Sequence, residues 1–299
     1  MNEAQKFDIV IIGGSYAGLS AALSLGLLSK KVMVIDAGNP CNQTALKSYN
    51  FLTQNGNSPK EILELAKQQV LTYPTVIFLN DEVVELNGTD GNFEIHAKAG
   101  QSFSAKKILF ATGVKDVLPD IAGYQECWGI SVVHCPYCHG HEFAGKAAAI
   151  YADGEAAKQL ANLLLPIHPN LALISDSIDG CDFGDKVSLI EQNIKTIHHQ
   201  NGKLNAIIFD NGEKLEIDVL YTDPKFEQHS SLAETIGCEL TDKNLIYITA
   251  EQQTSIPGIY ACGDCTSAMR SIATAVASGN LAGAIINKTL SEMYLMATM

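Results

Sequence analysis

Basic residues are scarce in this sequence: 20 lysines and arginines stand against 33 aspartates and glutamates, a formal charge of −13. No Lys/Arg-rich run offsets that balance, which argues against a basic face for nucleic acid or anionic membrane. An acidic surface suits a basic patch on a partner, but acidic soluble enzymes are common. A secretory leader is also not expected. Met1-Asn2-Glu3-Ala4-Gln5-Lys6 runs straight into an apolar stretch, with no charged segment, apolar core and small-residue cleavage site in sequence. The most apolar helical stretch, residues 17–28, is too short and too rich in Gly, Ser and Ala to span a bilayer. The expectation is a soluble cytoplasmic protein. Eight cysteines in 299 residues are too few for a disulfide-stapled scaffold. In a reducing cytoplasm they are more naturally buried, metal-binding or catalytic. There is no low-complexity segment, and no internal repeat longer than a βα start.

What is present is a globular α/β chain. Hydrophobic residues make up 46% and charged residues 18%, ample for packed cores in one large domain or two ordinary ones. Strand-like and helix-like stretches alternate from the start. Residues 8–12, 17–28 and 31–35 form a βαβ unit, and 58–70 read as a helix with Ser58 as N-cap and Pro59 at its first position. Short strands are expected at 75–79, 83–86, 93–97 and 107–111. A second βα start falls at 145–165. Turn-rich stretches at 113–123 and 221–230 read as linkers, and a strand at 258–262 and a helix at 272–287 close the chain.

Gly13-Gly14-Ser15-Tyr16-Ala17-Gly18 lies between the first strand and helix, the context that makes a glycine-rich loop informative. Gly13 permits the tight turn, Gly18 permits close helix–strand packing, and the amides at the helix start face a pyrophosphate. Ser15 stands where the middle glycine of the fingerprint belongs, and Asp36 ends the second strand, where an acid would bind an adenosine ribose. The competing reading is a generic βα turn. Two further segments, Ala111-Thr112-Gly113 and Gly258-Ile259-Tyr260-Ala261-Cys262-Gly263-Asp264, together resemble the FAD-binding family of two-dinucleotide-domain disulfide oxidoreductases. The resemblance implies that Asp264 accepts hydrogen bonds from the flavin's ribityl hydroxyls while Gly263 lets the backbone approach. Otherwise Asp264 is a turn aspartate capping the last helix.

The densest chemistry is His134-Cys135-Pro136-Tyr137-Cys138-His139-Gly140-His141. Cysteines three apart on a helical turn bring their sulfurs within bonding range, and a helix start with neighbouring histidines favours thiolate. A zinc site and inert buried thiols are the alternatives, and the crowding of ligands into one short stretch counts against zinc. The order of motifs resembles the low-molecular-weight thioredoxin reductases over essentially the full length. That likeness implies that Cys138 is the sulfur nearest the flavin and that Cys135 exchanges with substrate. It also implies a homodimer. Where those enzymes carry an aspartate proton donor, this chain has His139, the candidate general acid/base. His134 or His141 could share the role. The Cys-Pro-Tyr-Cys-His-Gly spelling is also similar to dithiol oxidases of the gliotoxin and holomycin type.

The resemblance also implies a second dinucleotide loop, and here the residues depart from it. Tyr151 and Asp153 occupy the first two glycine positions of the family's NADPH loop, Glu155 follows, and the strand end Ile174-Ser175-Asp176-Ser177 has no arginine for a 2′-phosphate. Like charges about 4 Å apart repel by roughly 4 kcal/mol at an effective dielectric near 20, so poor or absent NADPH use is expected. Cys262 and Cys265 could form a second redox pair; Cys41 is expected to be a buried thiol; Cys127, Cys181 and Cys238 carry no motif. Met269-Arg270 could meet the flavin or a dimer partner, or Arg270 could simply be solvated.

The expected fold is α/β, with two Rossmann-like dinucleotide-binding domains, the second inserted into the first: residues 1–116 and 223–299 for FAD, 117–222 for the Cys-x-x-Cys. The expected chemistry is FAD-coupled thiol–disulfide exchange with no metal. It runs either as reduction of a thioredoxin-like disulfide from a donor such as ferredoxin, or as dithiol oxidation by oxygen. A non-catalytic flavin sensor is the rival from another class.

Overall fold

The computed structural model describes residues 5–175 and 186–298. Asp176, Ser177 and Cys181, and Met1 to Ala4 of the leader reading, lie outside the described residues. The chain divides into two compact units, one of residues 1–41, 60–115 and 227–299, the other of residues 42–59 and 116–226.

The first unit opens with β1 (Gln5–Ile12), α1 (Tyr16–Gly26) and β2 (Val32–Asp36), followed by α2 (Pro59–Val70) and strands β3 (Val76–Asn80), β4 (Val83–Thr89), β5 (Asn92–Ala97) and β6 (Ser102–Phe110). Buried on both faces, Ile9 to Ile12 of β1 and Val32 to Ile35 of β2 read as continuous apolar runs, the pattern of parallel strands covered on two sides. Six strands of the seven-stranded sheet run β3-β2-β1-β6-β5-β4, and the seventh pairs with β6 off this path. β2 and β6 flank β1 on opposite sides, both parallel to it, so the strand order reverses beside β1 and leaves a crevice at the carboxyl ends. β6 is longer than expected because, besides β1, it serves two further neighbours. Its first half pairs antiparallel with β5, and Ile108 to Phe110 pair with a later strand.

A short β7 (Val114–Val117) leads into the second unit: α3 (Tyr124–Cys127), β8 (Val132–Val133), α4 (Pro136–Phe143), β9 (Ala148–Tyr151), α5 (Gly154–Leu164), β10 (Leu171–Ile174), β11 (Val187–Ile190), β12 (Ile194–Gln200), β13 (Lys203–Phe209), β14 (Lys214–Glu216) and β15 (Val219–Thr222). Its parallel sheet runs β11-β10-β9-β15-β8, with a three-stranded antiparallel sheet β12-β13-β14 beside it in the same unit. Apolar layers lie on the parallel sheet's two faces, one around Tyr124, Trp128 and Ile207, the other around Ala161, Leu164 and Tyr221.

The chain returns through β16 (Lys225–Gln228), α6 (Leu232–Thr235), β17 (Ile259–Ala261) and α7 (Ile272–Thr298). The two stretches expected to be linkers are not structureless: β7 and β16 pair with each other as a two-stranded ribbon. Tyr221 belongs to the buried β15 rather than to a return linker. β17 is the strand on the second half of β6. α7 runs eleven residues past its expected end at 287. Its first half lies hard against α1: a Cβ on Gly279 would collide with the Ala17 carbonyl, and Ser20 Oγ donates to the Val276 carbonyl at 2.7 Å. Small residues on both helices permit that approach. Among the described residues no helix is long and apolar enough to cross a membrane.

Candidate active site

In the first unit the glycine loop sits where the sheet crevice requires it. Gly13 turns with φ +105°, and its N–H donates to the Ile35 carbonyl at 2.8 Å. Gly14 donates its N–H to Asp36 Oδ1 at 2.9 Å, and a Cβ there would lie 2.6 Å from the Phe78 ring. Gly18 packs against the Gly13 carbonyl too closely for any side chain. Ser15 is the N-cap of α1 but makes no side-chain cap bond, and the helix's first turn holds no acid. A helix start without a side-chain cap or an acid in its first turn suits an anion.

Gly13, Ser15, Asp36, Ala111 and Thr112 line one cleft of about 870 Å³, within the size range of pockets that hold large organic ligands. Gly113 turns at φ +66°, and its carbonyl accepts from the His229 N–H at 3.4 Å. The Gly263 N–H donates to Ser278 Oγ at 3.0 Å, near the start of α7. Asp264 lies outside this cleft's lining. Its Oδ2 is 3.7 Å from Arg270 Nε, and the Arg270 side chain is 10% exposed, so Arg270 is a buried ion-pair partner rather than a solvated residue. A cleft with uncapped helix amides, a carboxylate at the end of β2 and a backbone that excludes Cβ atoms fits a dinucleotide such as FAD. Phe78 and the 229–232 segment were missed from the sequence, since neither carries a motif.

In the second unit Cys135 and Cys138 are joined as a disulfide, with Cα atoms 5.2 Å apart. The bond removes both sulfurs from the zinc and inert-thiol readings. Cys135 is the N-cap of α4; its Sγ accepts the Cys138 N–H at 3.2 Å, and Pro136 fills the first helical position, where no N–H is needed. The helix start favours a thiolate on either sulfur once the bond is reduced. His139 follows on the same turn, its side chain 12% exposed, with Nδ1 3.6 Å from Glu142 Oε2. Burial pushes the His139 imidazole below its ordinary pKa, and the Glu142 carboxylate partly opposes that. Glu142 escaped notice in the sequence although its spacing from His139, one helical turn, carried the signal. His134 stacks on Trp128, with ring centroids 5.8 Å apart, and Trp128 stacks on Tyr124. His141 is exposed.

The second nucleotide-like turn carries its own acid. Asp153 occupies the N-cap position of α5, Glu155 lies in its first turn, and Ser175 Oγ donates to Asp153 Oδ1 at 2.5 Å.

The other cysteines sort by burial. Cys262 and Cys265 are fully buried and not bonded to each other. The Cys265 thiol donates to the Cys262 carbonyl at 3.2 Å, and burial raises its pKa to about 11 and that of Cys262 well above normal. Cys41 is exposed, not buried as expected, because the chain leaves the β2 end along the surface.

The whole chain is similar to known proteins. It is 29% identical to the thioredoxin reductase tcpT of Claviceps purpurea, covering 97% of this chain and 96% of that one. It is 27% identical to the thioredoxin reductase sirT of Leptosphaeria maculans, covering 94% and 93%. A crystal structure of an oxidoreductase from Agrobacterium tumefaciens matches with TM-score 0.89 and 33% identity over 96% of this chain and 99% of that one. The crystal structure of HlmI matches with TM-score 0.89 and 26% identity over 98% and 95%. The family model described as pyridine nucleotide-disulphide oxidoreductase matches residues 7–159 and 185–279. The chain therefore belongs to the pyridine nucleotide-disulphide oxidoreductase family and is an FAD-dependent, thioredoxin reductase-like enzyme.

Proposed function

We propose that the enzyme exchanges electrons between FAD and an external dithiol or disulfide through Cys135 and Cys138, without NADPH. The observation that carries this reading is the Cys135–Cys138 disulfide at a helix start, in a unit whose own nucleotide-like turn carries the acid Asp153. On this reading residues 1–116 and 223–299 form the FAD domain and 117–222 the redox domain. Gly13, Gly14, Ser15 and Gly18 hold the pyrophosphate. Asp36 takes the adenosine ribose, Ala111-Thr112-Gly113 lie along the cofactor, and Gly263 with Asp264 meets the ribityl chain. Bound FAD supplies a two-electron acceptor or donor. Cys135 attacks, or is attacked by, the substrate sulfur, Cys138 takes the leaving electron pair as thiolate, and His139 accepts or returns the proton.

The substrate is a thioredoxin-like protein or a small dithiol, with a ferredoxin-type donor if the reaction runs toward disulfide reduction. The Cys-Pro-Tyr-Cys-His-Gly spelling favours a second direction, in which a dithiol is oxidised and two electrons with two protons pass to oxygen as hydrogen peroxide. A cytoplasmic homodimer is part of the proposal. An anaerobic spectral titration tests it. Dithiothreitol bleaches the flavin band, and NADPH and NADH do not. Reduced ferredoxin bleaches it only if the reductase direction holds, and peroxide release in air marks the oxidase. Rapid bleaching by NADPH refutes the proposed cofactor choice.

A further inference from the structure

A cavity of about 200 Å³ lies beneath α4, inside the second unit and lined by His139, Glu142, Phe143, Lys146, Lys203 and Asp218 among others. His139 Nδ1 is buried there with no hydrogen-bond partner. A buried ring nitrogen left unpaired is unfavourable, and such groups in native structures call for a water, an ion or a functional role. The nearest carboxylate oxygen, Glu142 Oε2, is 3.6 Å away, too long for a direct hydrogen bond and close enough for charge to act. The cavity has room for water, whose share of liquid volume is about 30 Å³. Hydrogen-bonding groups sit on both sides of the gap.

The surrounding charges come from every part of the wall. Lys146 follows α4, Lys47 comes from the 42–59 segment, Lys203 from β13, and Asp218 immediately precedes β15. Tyr221 on β15 feels the Glu142 charge, and its hydroxyl meets His168 Nε2 at 3.2 Å. No α5 side chain lines the cavity. Among these groups Glu142 is the one whose charge acts on His139 against the effect of burial.

We infer that Glu142 is the positioning residue of the exchange reaction: bridged by water to His139 Nδ1, it holds the imidazole with Nε2 as the base toward the cysteine pair and supports the imidazolium that forms. The inference rests on the Cys135–Cys138 exchange proposed above. In the step, a substrate thiol gives its proton to His139 Nε2, and its thiolate attacks Cys135 Sγ. The Cys135–Cys138 bond breaks, a substrate–Cys135 bond forms, and the displaced electron pair stays on Cys138 as thiolate. No electron leaves the sulfurs in this step. The proton's charge is balanced by Glu142, and the proton leaves through the cavity water. A carboxylate that orients a histidine and stabilises its protonated form acts by the same logic elsewhere.

The test uses the FAD-loaded enzyme, anaerobically, with dithiothreitol as the probe. Two readouts are taken: stopped-flow exchange rate against pH, and ¹⁵N NMR titration of the His139 ring, assigned by its loss in H139Q. In wild type the rate rises with pH as His139 becomes neutral. E142Q is expected to slow exchange roughly tenfold at neutral pH, less than the roughly 10²- to 10⁴-fold that a general base contributes, because His139 itself remains. It should also move both the rise and the His139 titration to lower pH by about one unit, because burial then acts unopposed. E142D, which keeps the charge, should restore most of the rate. H139Q/E142Q should be no slower than H139Q alone, since the two residues act as one unit. An E142Q enzyme with the wild-type rate profile and His139 titration overturns the inference, as do fully additive losses in the double variant. If C135S and C138S themselves exchange at the wild-type rate, the underlying reading fails instead.

Discussion

Two turns in this molecule share a plan and differ in what they can hold. After β1, the chain turns through Gly13, Gly14 and Ser15 into α1; after β9, it turns through Ala152, Asp153 and Gly154 into α5. Each helix has 11 residues and starts from an extended N-cap residue with no side-chain cap bond. In the first turn the acid is one strand away: Asp36, at the end of β2, accepts the Gly14 N–H and leaves the helix start open. In the second the acid is in the turn itself, and the residue after the neighbouring strand, Ser175, reaches across to hydrogen-bond it. The difference in position places a negative charge at the second helix start and leaves none at the first. A helix N-terminus attracts phosphate only where the chain has not already placed a negative charge there.

The largest effect that sharpens this contrast lies in the second unit. Cys138→Ser should cut dithiol-dependent flavin reduction by about 10³-fold or more, since the exchanging pair works as a unit; rates like wild type would leave that unit with no redox role. Next, Gly14→Val should strip the cofactor, because its Cβ already meets Phe78 and Asp36. A fall of about 100-fold in FAD affinity is expected, read as loss of the 450 nm band on purification, and a yellow variant would break the assignment of the first turn. Third, Tyr151→Gly with Asp153→Asn removes bulk and charge while keeping a side chain of similar size at the N-cap. It should strengthen NADPH binding by about tenfold or more over wild type, from relieving like-charge repulsion. Equal, negligible binding in both would mean that Asp153 is not what closes the second turn.

The smallest effect concerns stability. The folded-state pKa of His139 lies below its ordinary value of 6.5, with burial the main cause. The unfolded chain therefore binds more protons as pH falls below about 6.5. Stability should decline over the window from there down through the folded-state pKa and flatten below it. Urea midpoints measured across this range should show less decline in His139→Gln, and an identical slope in the variant would sink the attribution.

Much of this was legible locally. The βαβ start, the glycine turn and Asp36 follow from periodicity and from steric needs that neighbouring residues declare. The helix at Pro59 follows from capping chemistry. The ribbon of β7 with β16 was not legible, because strands of four residues in turn-rich sequence become strands only when a distant partner supplies the hydrogen bonds. Nor was the full length of α7, whose small-residue face gains its reason from α1. For Arg270 the sequence left a flavin contact, a partner contact and solvent equally open, and only the structure brings Asp264 to within 3.7 Å of its Nε.

The two Cys-x-x-Cys segments mark the division most clearly. Spacing alone determined that either pair could close a small ring, and the sequence singled out Cys135 and Cys138 by their helix start and histidines. Tertiary structure decided that Cys262 and Cys265 stay thiols: that pair follows the short strand β17, with no exposed surface and backbone carbonyls facing the Cys265 sulfur. Sequence distance limits how far apart two sulfurs can be. Solvent access and the polarity of the surroundings, which distant segments supply, decide whether they can become thiolates and react.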